Sequence, residues 1–232
     1  MLTLEGLEIT YAGGFELRAN FAIDPGALVA VIGPSGAGKS TLLAVIAGFF
    51  APARGRVLWQ GRDITDTPPG ARPISMIFQD NNLFPHLSAA QNVALGLRPD
   101  MRLARADWAA VDAALARVGL AGLGARKPGA LSGGQQSRVA LARMLLQRRP
   151  LVLLDEPFAA LGPALRAEML DLVAALCAET GAMMLMVSHD ISDAQRIAGQ
   201  IIWLDAGMAH PPMPTAALLA DPPAGLRAYL GP

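Results

Sequence analysis

Hydrophobic and polar residues alternate at period two through residues 2–10, LTLEGLEIT, and again through 15–23, FELRANFAI, with Ala-Gly-Gly between the two runs. Alternation of this kind puts one face of a strand in a core and the other in water, so the N-terminus is predicted to be a half-buried antiparallel hairpin. The pattern changes after Asp24-Pro25-Gly26. ALVAVIG, residues 27–33, is apolar without interruption, as a strand covered on both faces must be. Three more short apolar runs follow at 74–78, 151–155 and 183–188, each leading into a helix-like segment. Apolar strands alternating with helices predict a mostly parallel sheet with crossover helices. Between the 74–78 and 151–155 runs the character differs. Ser88 and Gln91 have capping-box spacing, and 107–118 and 137–147 carry helical periodicity, which predicts a helical insertion at about 88–149. The expected fold is therefore α/β and a single domain over 1–232. It comprises a mixed, mostly parallel sheet, an N-terminal antiparallel β subdomain and a helical insertion subdomain, with PPMP (211–214) as a loop before a last short helix.

Composition removes several classes of function. The 19 basic and 19 acidic residues balance, so nothing in the charge invites nucleic acid. The longest apolar run, 42–51, is far short of the roughly 20 residues that a membrane span needs. The first ten residues contain glutamates and alternate, unlike a secretion signal. Cys177 is the only cysteine, so no internal disulfide forms, a reducing compartment is the expectation, and the thiol reads as a small buried helix residue. The methionines of MMLMV read as core filler, because no Cys or His accompanies them. His86 in FPHL has no second ligand at metal spacing and reads as a contact-loop residue.

The chemistry begins where ALVAVIG ends. Gly33, Pro34, Ser35, Gly36, Ala37, Gly38, Lys39 and Ser40, followed by Thr41, fit G-x-x-x-x-G-K-[ST] between a buried strand and a helix-like run. Successive amides there form a concave nest at the positive end of a helix dipole, which suits nucleotide phosphates. Lys39 would neutralise the β- and γ-phosphates and Ser40 would hold Mg²⁺. LVLLDEP ends a second buried strand in Asp155 and Glu156. Strand alternation sends consecutive side chains in different directions, so one carboxylate is expected at the metal and the other at the γ-phosphate. LSGGQ, Leu131 to Gln135, is a second glycine-rich cradle at a helix start, one more than a single nucleotide needs.

In that order, GPSGAGKST, LSGGQ and LVLLDE resemble the Walker A, signature and Walker B motifs of the nucleotide-binding subunits of ABC transporters, and the resemblance covers essentially the whole chain. It implies a RecA-like P-loop NTPase fold that uses ATP and Mg²⁺. Glu156 would polarise the attacking water and Asp155 would support the metal. Gln79 would touch the metal and sense a membrane partner, His189 would contact the γ-phosphate, and Tyr11 would stack on adenine. Two copies would pair head to tail, with Ser132, Gly133, Gly134 and Gln135 of one closing over the nucleotide held by Lys39 of the other. The subunit would sit at the cytoplasmic face of the inner membrane on transmembrane permease subunits. Where relatives read S-A-L-D after Walker B, this chain reads Ala159-Ala160-Leu161-Gly162, which predicts weaker coupling between the two nucleotide sites. Gln136-Ser137-Arg138 stands where relatives often have R-Q-R, which lowers local positive charge. The stretch 67–87, TPPGARPISMIFQDNNLFPHL, resembles thiamine-importer ATPases. It implies thiamine or its phosphates as cargo, delivered by a periplasmic thiamine-binding protein. The alternatives are another small solute (sulfate, polyamine, iron) or a non-transport ABC ATPase. A C-terminal regulatory domain is not expected, since the chain stops at Pro232.

Overall fold

The computed structural model describes residues 1–11, 15–78 and 82–231, with the side chains of Tyr11 and Phe15 outside that description. The alternating N-terminal runs form β1 (Leu2–Tyr11) and β2 (Phe15–Ile23), paired antiparallel with Leu2 opposite Ile23. Their inward residues Leu2, Leu4, Leu7, Ile9 and Leu17 are buried. The first continuous apolar run forms β3 (Leu28–Ile32) and leads through the glycine-rich loop into helix α1 (Lys39–Ala47). Strand β4 (Arg54–Trp59) lies antiparallel beside β1, and the short β5 (Arg62–Asp63) pairs with β4.

A parallel layer follows. It contains β6 (Ile74–Ile77), β7 (Leu151–Asp155), β8 (Met183–Val187) and β9 (Gln200–Asp205) with β3, in the spatial order β9-β3-β8-β7-β6. The short β10 (Met208–Ala209) is antiparallel to β9 and parallel to β2, so both layers belong to one curled sheet of eleven strands among the described residues. The last of them, β11 (Met213–Pro214), pairs with the start of β9.

Each central strand is apolar up to its C-terminal end because each face meets a different core. In β7, Leu151 and Leu153 pack with α1 and the antiparallel layer, while Val152 and Leu154 face the helices on the other side. In β8, Met183, Leu185 and Val187 take the first face and Met184 and Met186 the second, all at most 1% exposed. The methionines are thus core filler, as their composition predicts. The second face is covered by α2 (Ala89–Ala94), α3 (Arg105–Arg117), α4 (Gly133–Gln147) and α5 (Pro163–Thr180). Helices α6 (Ile191–Ile197), α7 (Thr215–Ala220) and α8 (Ala224–Leu230) cover β3 and β9. Each fully buried Leu, Ile, Val or Met side chain contributes about 1.5–3 kcal/mol of transfer free energy, and such residues make up most of β3, β7 and β8.

The capping box at Ser88 and Gln91 forms as the sequence predicts: Ser88 Oγ accepts the Gln91 N–H at 3.2 Å, and Gln91 Oε1 accepts the Ser88 N–H at 2.8 Å. Other details differ from expectation. Helix α4 starts at Gly133, not 137, because Ser132 caps it, so the glycines of LSGGQ form its first turn. Met213 and Pro214 are an edge strand and not a loop, and two helices follow, not one. Proline is tolerated there because an edge strand needs hydrogen bonds on one side only.

Arg72 carries an unexpected load. It is 2% exposed, and its guanidinium donates to four backbone carbonyls: Val45 at 2.9 Å, Ile46 at 2.6 Å, Thr65 at 2.6 Å and Thr67 at 2.7 Å. Two of these are carbonyls at the C-terminus of α1, where a helix leaves acceptors unsatisfied and favours a cation. Burial pushes the guanidinium pKa down, with Asp63 and Asp66 opposing. Arg72→Met is therefore expected to remove a donor from each of these acceptors and cost about 3 kcal/mol of stability, read as a lower urea midpoint in circular dichroism. Cys177 is buried, and burial pushes its thiol up to about 11. It should resist alkylation at neutral pH in the native protein and react once the chain is denatured.

Candidate functional site

The C-terminal ends of β3, β7 and β8 come together because the strands are parallel and in register, with Val31 beside Val187 and Val187 beside Asp155. A sheet buried on both faces has room for polar side chains only at such ends. The loop after β3 uses Gly36 and Gly38 at φ 78° and 95°, and Gly38 caps α1 with no side-chain hydrogen bond. The first amides of α1 are thereby left without a side-chain acceptor, the arrangement that favours an anion. Gly33 has a separate reason to lack a side chain: a Cβ there would lie 2.5 Å from the Leu204 carbonyl oxygen of β9.

Lys39 is buried at 8% exposure and arches back over the loop, Nζ donating to the Gly33 and Pro34 carbonyls at 2.8 Å each. Desolvation lowers its pKa, with Glu156 and then Asp155 opposing that shift. Ser40 Oγ donates to Asp155 Oδ1 at 2.9 Å across 115 residues of sequence. Burial raises the Asp155 pKa against the opposing Ser40 hydrogen bond. Glu156 has left the strand, at φ 45°, with its N–H donating to the Val187 carbonyl at 3.2 Å. Simple alternation therefore does not separate the two carboxylates. The turn at Glu156 lets both approach Lys39. Glu156 Oε2 lies 3.3 Å from Nδ1 of His189, whose side chain is 53% exposed and which directly follows the buried Ser188. Ser35, Gly36, Gly38, Lys39, Ser40, Thr41 and Glu156 line a cavity of about 430 Å³. A larger cavity of about 790 Å³ lies between β9 and α7–α8 and holds none of the site residues the sequence predicts.

The second glycine-rich cradle is built but lies elsewhere. Ser132 Oγ accepts the Gln135 N–H at 3.3 Å, and Gln135 Oε1 accepts the Ser132 N–H at 3.0 Å, a reciprocal capping box. Gly133 has open space where a side chain would be, whereas a Cβ at Gly134 would lie 2.3 Å from a Leu165 methyl carbon. Gly134 thus lets α4 approach α5. None of Ser132, Gly133, Gly134 and Gln135 lines the phosphate-loop cavity. Gln79 lies outside the described residues, and so does the side chain of Tyr11, whose backbone ends β1.

Three residues that sequence reasoning did not single out hold the His189 segment. Arg166 and Asp193 form a buried ion pair behind it, and the Tyr229 hydroxyl donates to the His189 carbonyl at 2.8 Å. The spacing S-H-D-x-x-D at 188–193 was the available signal for Asp193. Arg166 and Tyr229 had none, because only the packing of α5 and α8 brings them there.

A profile of the ABC transporter family matches residues 17–159. The "Thiamine import ATP-binding protein ThiQ" of Cereibacter sphaeroides is 61% identical over 232 residues, 100% of each chain. The protein of that name from Ruegeria sp. is 58% identical over 231 residues, again 100% of both. Among solved structures, the dimeric ATP-binding cassette MJ0796, in a post-hydrolysis state bound to ADP and Pi, is similar at TM-score 0.81 and 32% identity. That match covers 93% of this chain and 99% of that one. CbiO1 from Clostridium perfringens, part of the ABC transporter complex cbiONQ, is similar at TM-score 0.84 and 30% identity, over 95% and 90% of the two chains.

The raised pKa of Asp155 has a consequence for stability. A carboxyl whose folded pKa lies above its unfolded value binds its proton more tightly when folded, so stability falls as pH rises through that window. Asp155→Asn is expected to raise the melting temperature of the nucleotide-free, chelator-treated protein at neutral pH. That gain should shrink as pH drops into the carboxylate range, and thermal scans at several pH values measure both trends.

Proposed function

Because this chain belongs to the ABC transporter family, as an ATP-binding subunit and an ATPase, we propose that it works as a head-to-tail pair of copies. The pair hydrolyses ATP to drive uptake of thiamine, or thiamine phosphates, through a membrane permease. The single observation that carries the pairing is the separation of the two cradles. The phosphate-loop cavity is lined by Ser35, Gly36, residues 38–41 and Glu156, while Ser132 and Gly133, exposed at the start of α4, lie outside it. A second copy supplying Ser132, Gly133, Gly134 and Gln135 would complete the pocket, adding helix-terminus amides at the γ-phosphate. Nucleotide would then favour the closed pair, and loss of the γ-phosphate would release it, which is the differential affinity a ligand-driven change requires.

Within each pocket, the N–H groups of Gly36, Gly38 and the first turn of α1 and the Lys39 ammonium bind and orient the phosphates. Ser40 and Asp155 fit a magnesium ion: a hydroxyl and a carboxylate, both hard oxygen donors, converge within 2.9 Å beside the loop. When bound, the ion neutralises charge on the β- and γ-phosphates. Glu156 holds the attacking water and takes its proton, and His189, next to it, contacts the γ-phosphate. Gln79 would join the metal shell and report to the membrane partner, and Tyr11 would stack on the adenine. In this reading 1–232 acts as a single ATPase unit with its helical insertion at about 88–149.

No helix among the described residues is long and apolar enough to cross a membrane, so attachment would come through the permease on the cytoplasmic face. A cavity of about 400 Å³ flanked by Phe78, Asn82, Leu83, Phe84 and Arg143 supports that docking. Phe49 and Phe84 are 49% and 47% exposed, and the Phe49 ring meets Phe78 edge-on at 5.6 Å. Buried Asn92 fixes Phe84 from behind, accepting its N–H at 2.8 Å and donating to its carbonyl at 3.1 Å. Thiamine as cargo is supported by the full-length likeness to two thiamine import proteins. A periplasmic thiamine-binding protein would deliver it.

Glu156→Gln is expected to bind ATP and remain paired, with hydrolysis reduced by about 10²–10⁴-fold; gel filtration with and without ATP, beside a phosphate-release assay, measures this, and normal turnover would remove Glu156 from its role. Radiolabelled thiamine uptake should disappear in a strain lacking this chain, whereas selective loss of sulfate, polyamine or iron uptake would reassign the cargo. Gly162 caps α5 with open space around it, so Gly162→Asp should leave the fold intact and steepen the dependence of rate on ATP concentration. An unchanged curve would end the weak-coupling idea.

A further inference from the structure

Helix α5 begins at the Gly162 cap, and Arg166 closes its first turn, its N–H donating to the Gly162 carbonyl at 2.9 Å. The Arg166 side chain is only 16% exposed. It crosses to α6, where Nε donates to Asp193 Oδ2 at 3.1 Å and a terminal nitrogen donates to the same oxygen. That nitrogen also reaches Ser188 Oγ at 3.3 Å, and the other terminal nitrogen lies 3.6 Å from Asp190 Oδ2. Ser188 Oγ in turn donates to Asp193 Oδ2 at 2.6 Å and accepts the Asp190 N–H at 3.0 Å. Both chain neighbours of His189 are thus held by one guanidinium.

We infer that Arg166 is a positioning residue, which sets the His189 ring against Glu156 according to where the turn 156–162 places α5. This rests on the reading that Glu156 and His189 act at the γ-phosphate. The contacts form a closed circuit. Glu156 meets His189 at 3.3 Å, and its carbonyl accepts the Ala159 N–H at 3.3 Å as the turn begins. The turn ends at Gly162, α5 carries Arg166, and Arg166 returns to Ser188 and Asp190. Two hydrogen bonds from one planar guanidinium to the single oxygen Oδ2 of Asp193 are directional, so a shift of α5 against α6 must either break them or carry Ser188 and Asp190 along. The circuit uses the backbone of residue 162 and no side chain there, so it operates with glycine at that position.

A simple staple between two helices would behave differently, and the molecule provides the control. Arg196 of α6 and Asp171 of α5 make a second, bidentate pair at 2.7 and 2.6 Å, exposed on both sides. Exposed pairs of this kind contribute little, and this one does not touch residues 188–190.

The test compares the full-length chain with Arg166→Met, the double variant Arg166→Met/Asp193→Asn, and Arg196→Met. The readouts are kcat, KM for ATP, melting temperature and the ring NMR signal of His189. Arg166→Met should lower kcat by about 10- to 100-fold through misplacement of His189, leave KM for ATP unchanged and shift the His189 signal but not those of His86 and His210. The double variant leaves no buried charge unpaired, so it should recover melting temperature without recovering kcat. Arg196→Met should match the parent in kcat. Recovery of kcat together with melting temperature, an equal loss of kcat in Arg196→Met, or an unmoved His189 signal in folded Arg166→Met would each overturn the inference. The NMR arm separates the two claims: a parent chain that hydrolyses no ATP while Arg166→Met still moves the His189 signal refutes the functional reading and leaves the positioning contact standing.

Discussion

The parallel register of β3, β8 and β7 is the constraint from which the chemistry follows. Each of these strands is buried on both faces, so a charged residue can stand only where the strand ends. In-register pairing places those ends side by side. Lys39, Ser40, Asp155, Glu156 and His189 meet there although up to 150 residues separate them in sequence. Desolvation lowers the pKa of Lys39 and raises that of Asp155. Without a ligand the site is therefore held at some cost to stability, a common condition of functional centres.

The same architecture accounts for two glycine-rich cradles in one chain. The first is fixed to the sheet, where Gly33 lies against β9. The second is fixed to the helical layer, where Gly134 lets α4 pack on α5. A cradle that is capped, exposed at Ser132 and Gly133 and outside the lining of its own chain's phosphate cavity is suited to act on a nucleotide held by another copy. Helix α5 starts at the Gly162 cap, packs against the start of α4 through Leu165, and reaches the His189 segment through Arg166. It is therefore the element through which a change at the pairing surface would reach the γ-phosphate.

Much of this was legible from the residues alone, and the exceptions have physical reasons. The phosphate loop, the two carboxylates and the strands 28–32, 151–155 and 183–187 announce themselves because continuous apolar runs and a fixed glycine spacing are local signals. Strand β4 reads RGRVLW with three exposed residues at its start, and β10 and β11 are only two residues long, so periodicity could not place them. Helical periodicity places the start of α4 at 137, since the glycines of its first turn carry no side chain to show a period, yet the Ser132–Gln135 capping box begins the helix at Gly133. The orientation of Glu156 was not legible, since its positive φ is imposed by the turn into 157–162 and overrides strand alternation. Arg72 and Arg166 look like ordinary surface arginines in sequence; only tertiary packing gives them buried carbonyls and a buried carboxylate to satisfy.

The central claim, that each pocket is completed by a neighbouring copy, is tested most directly by mixing two inactive variants. Lys39→Ala disables the phosphate loop. Gly133→Asp puts a negative charge in the open space of the second cradle, at a helix N-terminus where the fold accepts it. Each variant alone should be silent, and a mixture should regain ATP hydrolysis, because a mixed pair contains one pocket built from an intact loop and an intact cradle. A mixture as silent as its components, with both chains folded, would contradict the account.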